Sequence, residues 1–150
     1  EYMNKLLIAG WLTGDKAYVE KLKWFLFHWI QANPILPEGT VTTRTIDTGI
    51  RCMSWQYLLL HLLGEGLMEE REAAGILESM KEQFASLRKR YIGKYTLSNW
   101  GVLQTASICN GYLWFHEYLP SDGTEDWAWK ELERQIGLQV LDDGAHWSSP

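Results

Sequence analysis

The stretch Thr96-Leu97-Ser98-Asn99-Trp100-Gly101-Val102-Leu103-Gln104 marks the change from a polar, glycine-containing segment to a strongly apolar one. Four cations lie just before it: Arg88, Lys89, Arg90 and Lys94. Because Ser, Thr and Asn are preferred at the N-cap, the stretch predicts a loop that leads into a capped helix. An amide beside a large indole and near several cations also suits recognition of an anionic, ring-shaped ligand. Asn99 is therefore either a helix cap or a ligand-binding residue.

Working outward from this stretch, apolar residues recur at helical spacing through most of the 150 residues. Gly, Pro and Asn residues interrupt the pattern and indicate loops. The predicted helices cover 2–12, 16–32, a third segment that begins at Asp47 or Thr48 and ends at 64–66, and then 68–90, 99–118 and 125–141. No segment shows the alternation of a half-buried strand. The sequence therefore predicts an all-α fold of antiparallel helical hairpins packed side by side.

The predicted helices differ in how much of their surface is apolar. The third and fifth helices are apolar on most faces and are expected at the centre, whereas the fourth has a strongly charged outer face. The apolar residues of the sixth helix are expected to point inward: Trp127, Leu132, Ile136, Val140 and Leu141.

Composition excludes several classes of function. The formal net charge of −5 argues against general nucleic-acid binding, which usually requires a basic domain. No apolar run is long enough to cross a membrane, and no secretory leader opens the sequence, so we expect a soluble chain without a membrane partner. Cys52 and Cys109 lack the spacing of a metal motif and are expected to be buried free thiols. We therefore expect no metal and no cofactor.

Arginine and tryptophan residues of the third helix allow two interpretations. Arg44 and Arg51 interrupt an otherwise apolar segment, and Trp55 follows Arg51 by about one turn. A buried guanidinium needs acceptors, so it either pins Asp47 or backbone carbonyl groups, or it faces an anion-binding cleft. The nine Trp residues likewise indicate either broad helix interfaces, the commoner case, or a groove that stacks flat rings.

Four motifs occur in a characteristic order: 29–34, 44–55, 98–102, and 135–147 followed by Ser149-Pro150. The most specific are the Asn99-Trp100 opening of the fifth helix and the segment 139–147, Gln-Val-Leu-Asp-Asp-Gly-Ala-His-Trp. Together they resemble the helical N-terminal domain of the heparinase II/III family of polysaccharide lyases, over nearly the whole chain. The resemblance implies helical hairpins in an incomplete (α/α) toroid, a separate β-sandwich domain later in the same polypeptide, and a secreted or periplasmic enzyme.

The resemblance also implies β-elimination at a uronic acid of an acidic polysaccharide. A base removes the C5 proton, and the C4 oxygen leaves to give an unsaturated sugar. Fixed donors that neutralise the uronate carboxylate lower the barrier to this reaction. Asn99 matches the family residue with this role. The substrate-binding candidates are Trp100, Arg51, Trp55, Gln104, His146 and Trp147.

The sequence departs from the family pattern in three places. Relatives commonly have His where this chain has Trp100, and Glu-Gln where it has Ser148. They also follow Ser-Pro with a segment ending in Tyr-His, which supplies the tyrosine acid and base, whereas this chain ends at Pro150. A second catalytic helper, a histidine, comes from the β domain. We therefore expect this chain to hold at most one catalytic residue and part of the groove, and to show no turnover on its own.

Two alternatives belong to other functional classes. A glycoside hydrolase on a similar helical toroid would need two carboxyl groups that face each other. Its candidates are Asp47, Glu117, Asp142 and Asp143. A non-catalytic helical domain that binds carbohydrate would use the Trp residues for stacking or packing alone.

Overall fold

The computed structural model describes residues 2–147, which form six α-helices and two short 3-10 helices. The α-helices are α1 (Tyr2–Thr13), α2 (Lys16–Ala32), α3 (Thr45–Gly64), α4 (Glu70–Arg90), α5 (Asn99–Phe115) and α6 (Thr124–Gln139). The 3-10 helices are η1 (Val41–Thr43) and η2 (Gly93–Leu97). Within this range the only extended pairing is an isolated bridge between Val140 and His146. The predicted all-α class is confirmed.

The six helices pack as three hairpins in two layers. Successive helices pair as α1 with α2, α3 with α4, and α5 with α6. Across the hairpins, α3 packs against both α1 and α5, while α4 packs against both α2 and α6. One layer therefore contains α1, α3 and α5, and the other contains α2, α4 and α6.

Contacts within the first layer show that its helices run in the same direction. Near the start of α1, Asn4 contacts Ser54, and near its end Trp11 donates to Glu65. Between α3 and α5, Gly49 lies against Gln104, and further along Gln56 donates to the carbonyl oxygen of Ser107. Each hairpin is antiparallel, so the starts of α1, α3 and α5 lie at the same end as the ends of α2, α4 and α6. We call this the site end.

The core follows the predicted apolar pattern in α4, and α3 and α5 bury the most residues, as predicted. The helices α3 and α5 bury ten and nine residues, and they approach closely at Gly49, where an added Cβ would lie 3.1 Å from the carbonyl oxygen of Leu103. The apolar residues that the sequence placed inside α4 are all buried: Ala73, Ile76, Leu77, Met80, Phe84 and Leu87. Cys52 and Cys109 are free and buried, as predicted, and burial raises the pKa of each thiol to about 12.

The start of α3 differs from the prediction. The helix begins at Thr45 with Arg44 at the N-cap, so neither Asp47 nor Thr48 is the cap. Asp47 instead lies in the first turn, where its Oδ2 accepts from Arg44 Nε at 2.6 Å. An acidic residue in the first turn is stabilised by the helix dipole, which explains why the helix continues through it.

The inward face of α6 was predicted correctly for Trp127 and Leu132, which pack against the core, and wrongly for Ile136, Val140 and Leu141. Ile136 and Leu141 are each 52% exposed, and Val140 is 42% exposed, whereas Gln135 and Gln139 are fully buried. The groups beneath the second half of α6, at Gln135 and Gln139, are hydroxyl and carbonyl groups of residues 91–105. A glutamine amide can donate and accept at once, so it satisfies such groups where an apolar side chain could not.

No helix of the described residues is long and apolar enough to cross a membrane.

Candidate functional site

Asn99 is the first residue of α5 and is exposed. The N-cap position is occupied by Ser98, whose backbone is extended and whose hydroxyl donates to the Tyr95 carbonyl oxygen at 3.2 Å. The Asn99 amide makes no hydrogen bond within residues 2–147. The interpretation of Asn99 as the helix cap is therefore wrong, and its two N–H groups are available to a ligand.

The short helix η2 holds the backbone just before Asn99. Thr96 is fixed on both sides, because its hydroxyl donates to Glu131 Oε1 at 2.6 Å and its carbonyl oxygen accepts from Gln139 Nε2 at 2.7 Å. Gly101 lets η2 lie directly against α5, since a Cβ at this position would overlap the Tyr95 carbonyl group. The backbone segment that leads to Asn99 is thus held by hydrogen bonds from α6 on one side and by its contact with Gly101 on the other.

A tyrosine extends the network beneath η2. The Tyr91 hydroxyl donates to Glu131 Oε1 at 2.9 Å and accepts from Gln135 Nε2 at 2.8 Å. Gln135 Oε1 in turn accepts from the Thr105 hydroxyl at 2.9 Å. Burial raises the pKa of Tyr91 to about 12, and its bond to Glu131 acts in the same direction. Tyr91 therefore remains a neutral donor near neutral pH.

Arg51 is held by three hydrogen bonds to uncharged groups. Its Nε donates to Gln83 Oε1 at 2.9 Å, Nη1 to the Thr42 carbonyl oxygen at 2.9 Å, and Nη2 to Thr48 Oγ1 at 3.0 Å. Its guanidinium carbon lies 4.0 Å from the centroid of the Trp29 ring. Burial lowers the pKa of Arg51, but a guanidinium remains charged at neutral pH. No carboxylate within residues 2–147 forms an ion pair with it.

Arg51 and Trp55 line the same cleft at the site end, with a volume of about 280 Å³. Its other lining residues are Tyr2, Met3, Trp29, Asp47, Ile50 and Ser54. Trp55 is only 2% exposed and packs edge-on against Trp29. It forms the floor of the cleft and does not present an open indole face.

Trp100 and Gln104 lie one turn apart on α5 but differ in exposure. Trp100 is 42% exposed and stacks on Tyr95, with ring centroids 6.0 Å apart. Gln104 is fully buried between α3 and α5, where its Nε2 donates to the Trp100 carbonyl oxygen at 2.9 Å. Gln104 Oε1 is buried without a partner in the described structure. Trp100 is thus placed at the surface, whereas Gln104 supports it from inside.

His146 and Trp147 fold back onto the end of α6. His146 Nε2 lies 3.0 Å from Gln139 Oε1, and the Trp147 N–H donates to the Gln139 carbonyl oxygen at 2.6 Å. Trp147 is exposed. The motif residues Ser148, Ser149 and Pro150 lie outside the described residues.

The structure thus brings the candidate residues together in three groups. Arg51 and Trp55 share the cleft, Gln104 supports Trp100 beside Asn99, and His146 and Trp147 contact Gln139. Residues that the sequence interpretation missed connect the last two groups: Tyr91, Glu131, Gln135 and Gln139. The spacing of Glu131, Gln135 and Gln139 at intervals of four was a readable signal of a polar inward face on α6.

The carboxylates proposed for hydrolysis are not all at one end. Asp47 lies at the start of α3 and pairs with Arg44, while Glu117 follows the end of α5. Because α3 and α5 are parallel, these two lie at opposite ends of the layer. Asp143 accepts from the Ala145 N–H within its own turn. Within residues 2–147, no cluster of three or more His, Cys, Asp or Glu side chains is arranged to hold a metal ion.

The chain matches a protein-family model, but no individual curated protein or solved structure. The family model described as Heparinase II/III N-terminus matches residues 2–149. Since the family model covers nearly the whole sequence, this chain belongs to the heparinase II/III N-terminal family.

Proposed function

We propose that this chain supplies the helical half of the substrate cleft of a polysaccharide lyase. It would form part of an incomplete (α/α) toroid, followed by a β-sandwich domain in the same polypeptide. The substrate would be a uronic-acid-containing polysaccharide, either a glycosaminoglycan or an alginate-like polymer, and the enzyme would be secreted or periplasmic. The observation that carries the proposal is the exposed amide of Asn99 at the start of α5, without a hydrogen-bond partner in the described residues.

The chemistry of elimination explains why such an amide is useful. Removal of the C5 proton shifts negative charge onto the uronate carboxylate before the C4 oxygen leaves. An amide N–H can donate to this carboxylate without titrating, and a donor that is already in place stabilises the charge as it develops. The start of α5 adds the positive end of the helix dipole at the same point. In this mechanism Asn99 neutralises the substrate carboxylate.

Arg51 supports the choice of an anionic substrate. A guanidinium has five N–H groups, and three of those of Arg51 donate to Gln83, Thr42 and Thr48. Two remain for a ligand in the cleft. The nearby Asp47 is paired with Arg44 and forms no hydrogen bond to Arg51 within residues 2–147. The remaining donors suit a carboxylate or sulfate of an acidic glycan.

Aromatic residues would supply the contacts to sugar rings. Trp100, stacked on Tyr95 and partly exposed, offers an indole surface next to Asn99. Trp147 is exposed on the segment that folds against Gln139. Gln104 would act indirectly, by fixing the backbone of Trp100.

The position of the carboxylates removes one pair, Asp47 with Glu117, from the alternative of a toroid-type glycoside hydrolase. Hydrolysis requires two carboxyl groups about 5 to 9.5 Å apart across one bond. Asp47 and Glu117 lie at opposite ends of the first layer. A purely carbohydrate-binding domain remains the other alternative, and it would use the same cleft without turnover.

The decisive experiment offers uronate-containing polysaccharides to the intact enzyme. Elimination creates a double bond, so we expect a product that absorbs in the near ultraviolet. New reducing ends without absorbance would instead identify a hydrolase, and binding without either would identify a binding domain. We expect the 150-residue chain on its own to give no product. Measurable elimination by the isolated chain would show that the acid and base of the reaction lie within these 150 residues, contrary to the proposal.

A further inference from the structure

We propose that Gln139 is a positioning residue that determines which ring nitrogen of His146 carries the proton. It thereby presents the other nitrogen as a hydrogen-bond acceptor for a hydroxyl group of the glycan. The assignment of the proton follows from hydrogen-bond chemistry alone. Only the identity of the ligand rests on the proposed function.

The orientation of the Gln139 amide is fixed by its contact with η2. One end of the amide lies 2.7 Å from the Thr96 carbonyl oxygen, which can only accept. The NH2 group must therefore face Thr96, and Oε1 must face the other way. Gln139 is 1% exposed, so water does not compete for either position. A flipped amide would set two acceptors against each other in a buried site.

This orientation determines the tautomer of His146. Gln139 Oε1 lies 3.0 Å from His146 Nε2, and an amide oxygen can only accept. His146 Nε2 must therefore carry a proton. In the neutral ring the proton is then absent from Nδ1, which becomes an acceptor. Nδ1 makes no hydrogen bond to the described part of the chain.

The backbone holds the ring against Gln139. The Trp147 N–H donates to the Gln139 carbonyl oxygen, and the Leu141 N–H donates to the Ala145 carbonyl oxygen at 2.8 Å. Gly144 has a φ of 82°, a left-handed conformation that glycine adopts without strain, and this lets the chain reverse within a few residues. The segment 140–147 is thus a tight turn anchored at Gln139.

The same glutamine also contacts the segment that leads to Asn99. Thr96, which accepts from Gln139, precedes Asn99 by three residues and is fixed in turn by Glu131. Gln139 therefore links the imidazole of His146 to the backbone that positions the Asn99 amide. This places the His146 acceptor and the backbone that carries the Asn99 donor on the same supporting network. A uronate residue carries both complementary groups, a hydroxyl and a carboxylate.

The first test is an NMR measurement on the ¹⁵N-labelled chain at a pH where the His146 ring is neutral. We expect a single tautomer in which Nε2 has the chemical shift of a protonated nitrogen and Nδ1 that of an unprotonated one. A ring protonated mainly at Nδ1, or an even mixture, would overturn the proposal. This result is obtained on the parent chain and does not depend on any variant folding.

The second test removes the Gln139 amide. In Gln139→Leu we expect the Nε2 proton to exchange rapidly with water and the tautomers to mix. Gln56→Leu is the matched control, because Gln56 is equally buried but bonds to Ser107 of α5, and it should leave the His146 signals unchanged. If Gln139→Leu does not fold, Gln139→Asn shortens the side chain while keeping its polarity. An unchanged His146 signal in the folded variant would exclude Gln139 as the cause.

The third test adds an unsulfated uronate oligosaccharide. We expect the Nδ1 resonance to shift in the parent chain and in Gln56→Leu, and not in Gln139→Leu. Binding that moves other resonances but leaves Nδ1 unchanged would overturn its role as acceptor. Absence of any binding would contradict both that role and the proposed function, whereas the tautomer result would still stand.

Discussion

The helices α4 and α6 both belong to the second layer, yet they bury different chemistry. Along most of its length α4 presents apolar side chains, among them Phe84 and Leu87, which are fully buried. The residues that α6 buries are Thr124, Ala128, Gln135 and Gln139. The α4 face holds the fold together by removing apolar surface from water. The α6 face instead fixes the segments that carry Asn99 and His146.

Towards the site end, α4 also buries an amide side chain. Gln83 is fully buried, and its Oε1 accepts from Arg51 Nε at 2.9 Å. Buried amides therefore occur where a candidate site residue must be held, on α4 as well as on α6. The comparison teaches that on α4 and α6 buried amides position candidate site residues, while apolar burial holds the helices together. The buried amide of Gln56 on α3 instead bonds to Ser107 of α5.

The largest effect on stability should come from the apolar face of α4. Leu87→Ala removes a fully buried side chain, and such substitutions typically cost about 2–5 kcal/mol in the free energy of unfolding. Leu113→Ala is the matched control, because Leu113 is 58% exposed and its change should stay within about 0.5 kcal/mol. Denaturant unfolding measures both variants. Equal losses in the two variants would show that the buried apolar face of α4 does not stabilise the fold.

Arg51→Met should weaken binding of an anionic oligosaccharide by about 1.5–3 kcal/mol, the range for hydrogen bonds to charged groups. Methionine retains much of the side-chain bulk but removes the charge and all five donors. Titration of the intact enzyme with a uronate oligosaccharide measures the effect. The control is Arg71→Met, which removes an exposed arginine near the start of α4, at the opposite end from the cleft. Unchanged affinity in the folded Arg51 variant would remove Arg51 from the substrate site.

Gln135→Leu should cost about 1–3 kcal/mol in the free energy of unfolding, because it removes two hydrogen bonds, to Thr105 and Tyr91, that typically contribute about 0.5–1.5 kcal/mol each. Gln31→Leu, at an exposed position of α2, provides the matched control and should change little. The comparison predicts a further difference from Leu87→Ala. Turnover of the intact enzyme should fall in Gln135→Leu at temperatures where the variant is still fully folded, whereas folded Leu87→Ala should retain it.

The smallest effect appears only in alkali and concerns Tyr91. Because burial raises its pKa from 10.0 to about 12, the unfolded chain loses this proton at lower pH than the folded chain. The stabilisation is fully present below pH 10.0 and is lost as the pH rises towards about 12. Tyr91→Phe should therefore reduce the steepness of alkaline unfolding. An unchanged pH profile in Tyr91→Phe would show that Tyr91 does not ionise on unfolding.

The sequence predicted the fold from its apolar periodicity, because α4 buries the residues that the pattern places on its inner face, and α3 and α5 bury the most residues. It also predicted Asn99 and Arg51 as site candidates from their chemistry. The apolar pattern misplaced the end of α6, since Ile136 and Leu141 are apolar yet exposed, and the signal of its polar inward face was the spacing of Glu131, Gln135 and Gln139. That face depends on which groups η2 presents beneath it, and η2 is set by contacts between residues far apart in sequence. The start of α3 was missed because Asp47 favours both an N-cap and a first turn.

The central claim, that the Asn99 amide neutralises a substrate carboxylate, is tested most directly by Asn99→Asp in the intact enzyme. Aspartate has nearly the same size, and because Ser98 occupies the N-cap the substitution removes no capping interaction. An acidic residue in the first turn also suits the helix dipole. We therefore expect a melting temperature at or above that of the parent. Turnover should fall about a hundredfold or more, because donors are replaced by a charge that repels the substrate. A folded Asn99→Asp enzyme with parental turnover would contradict the account.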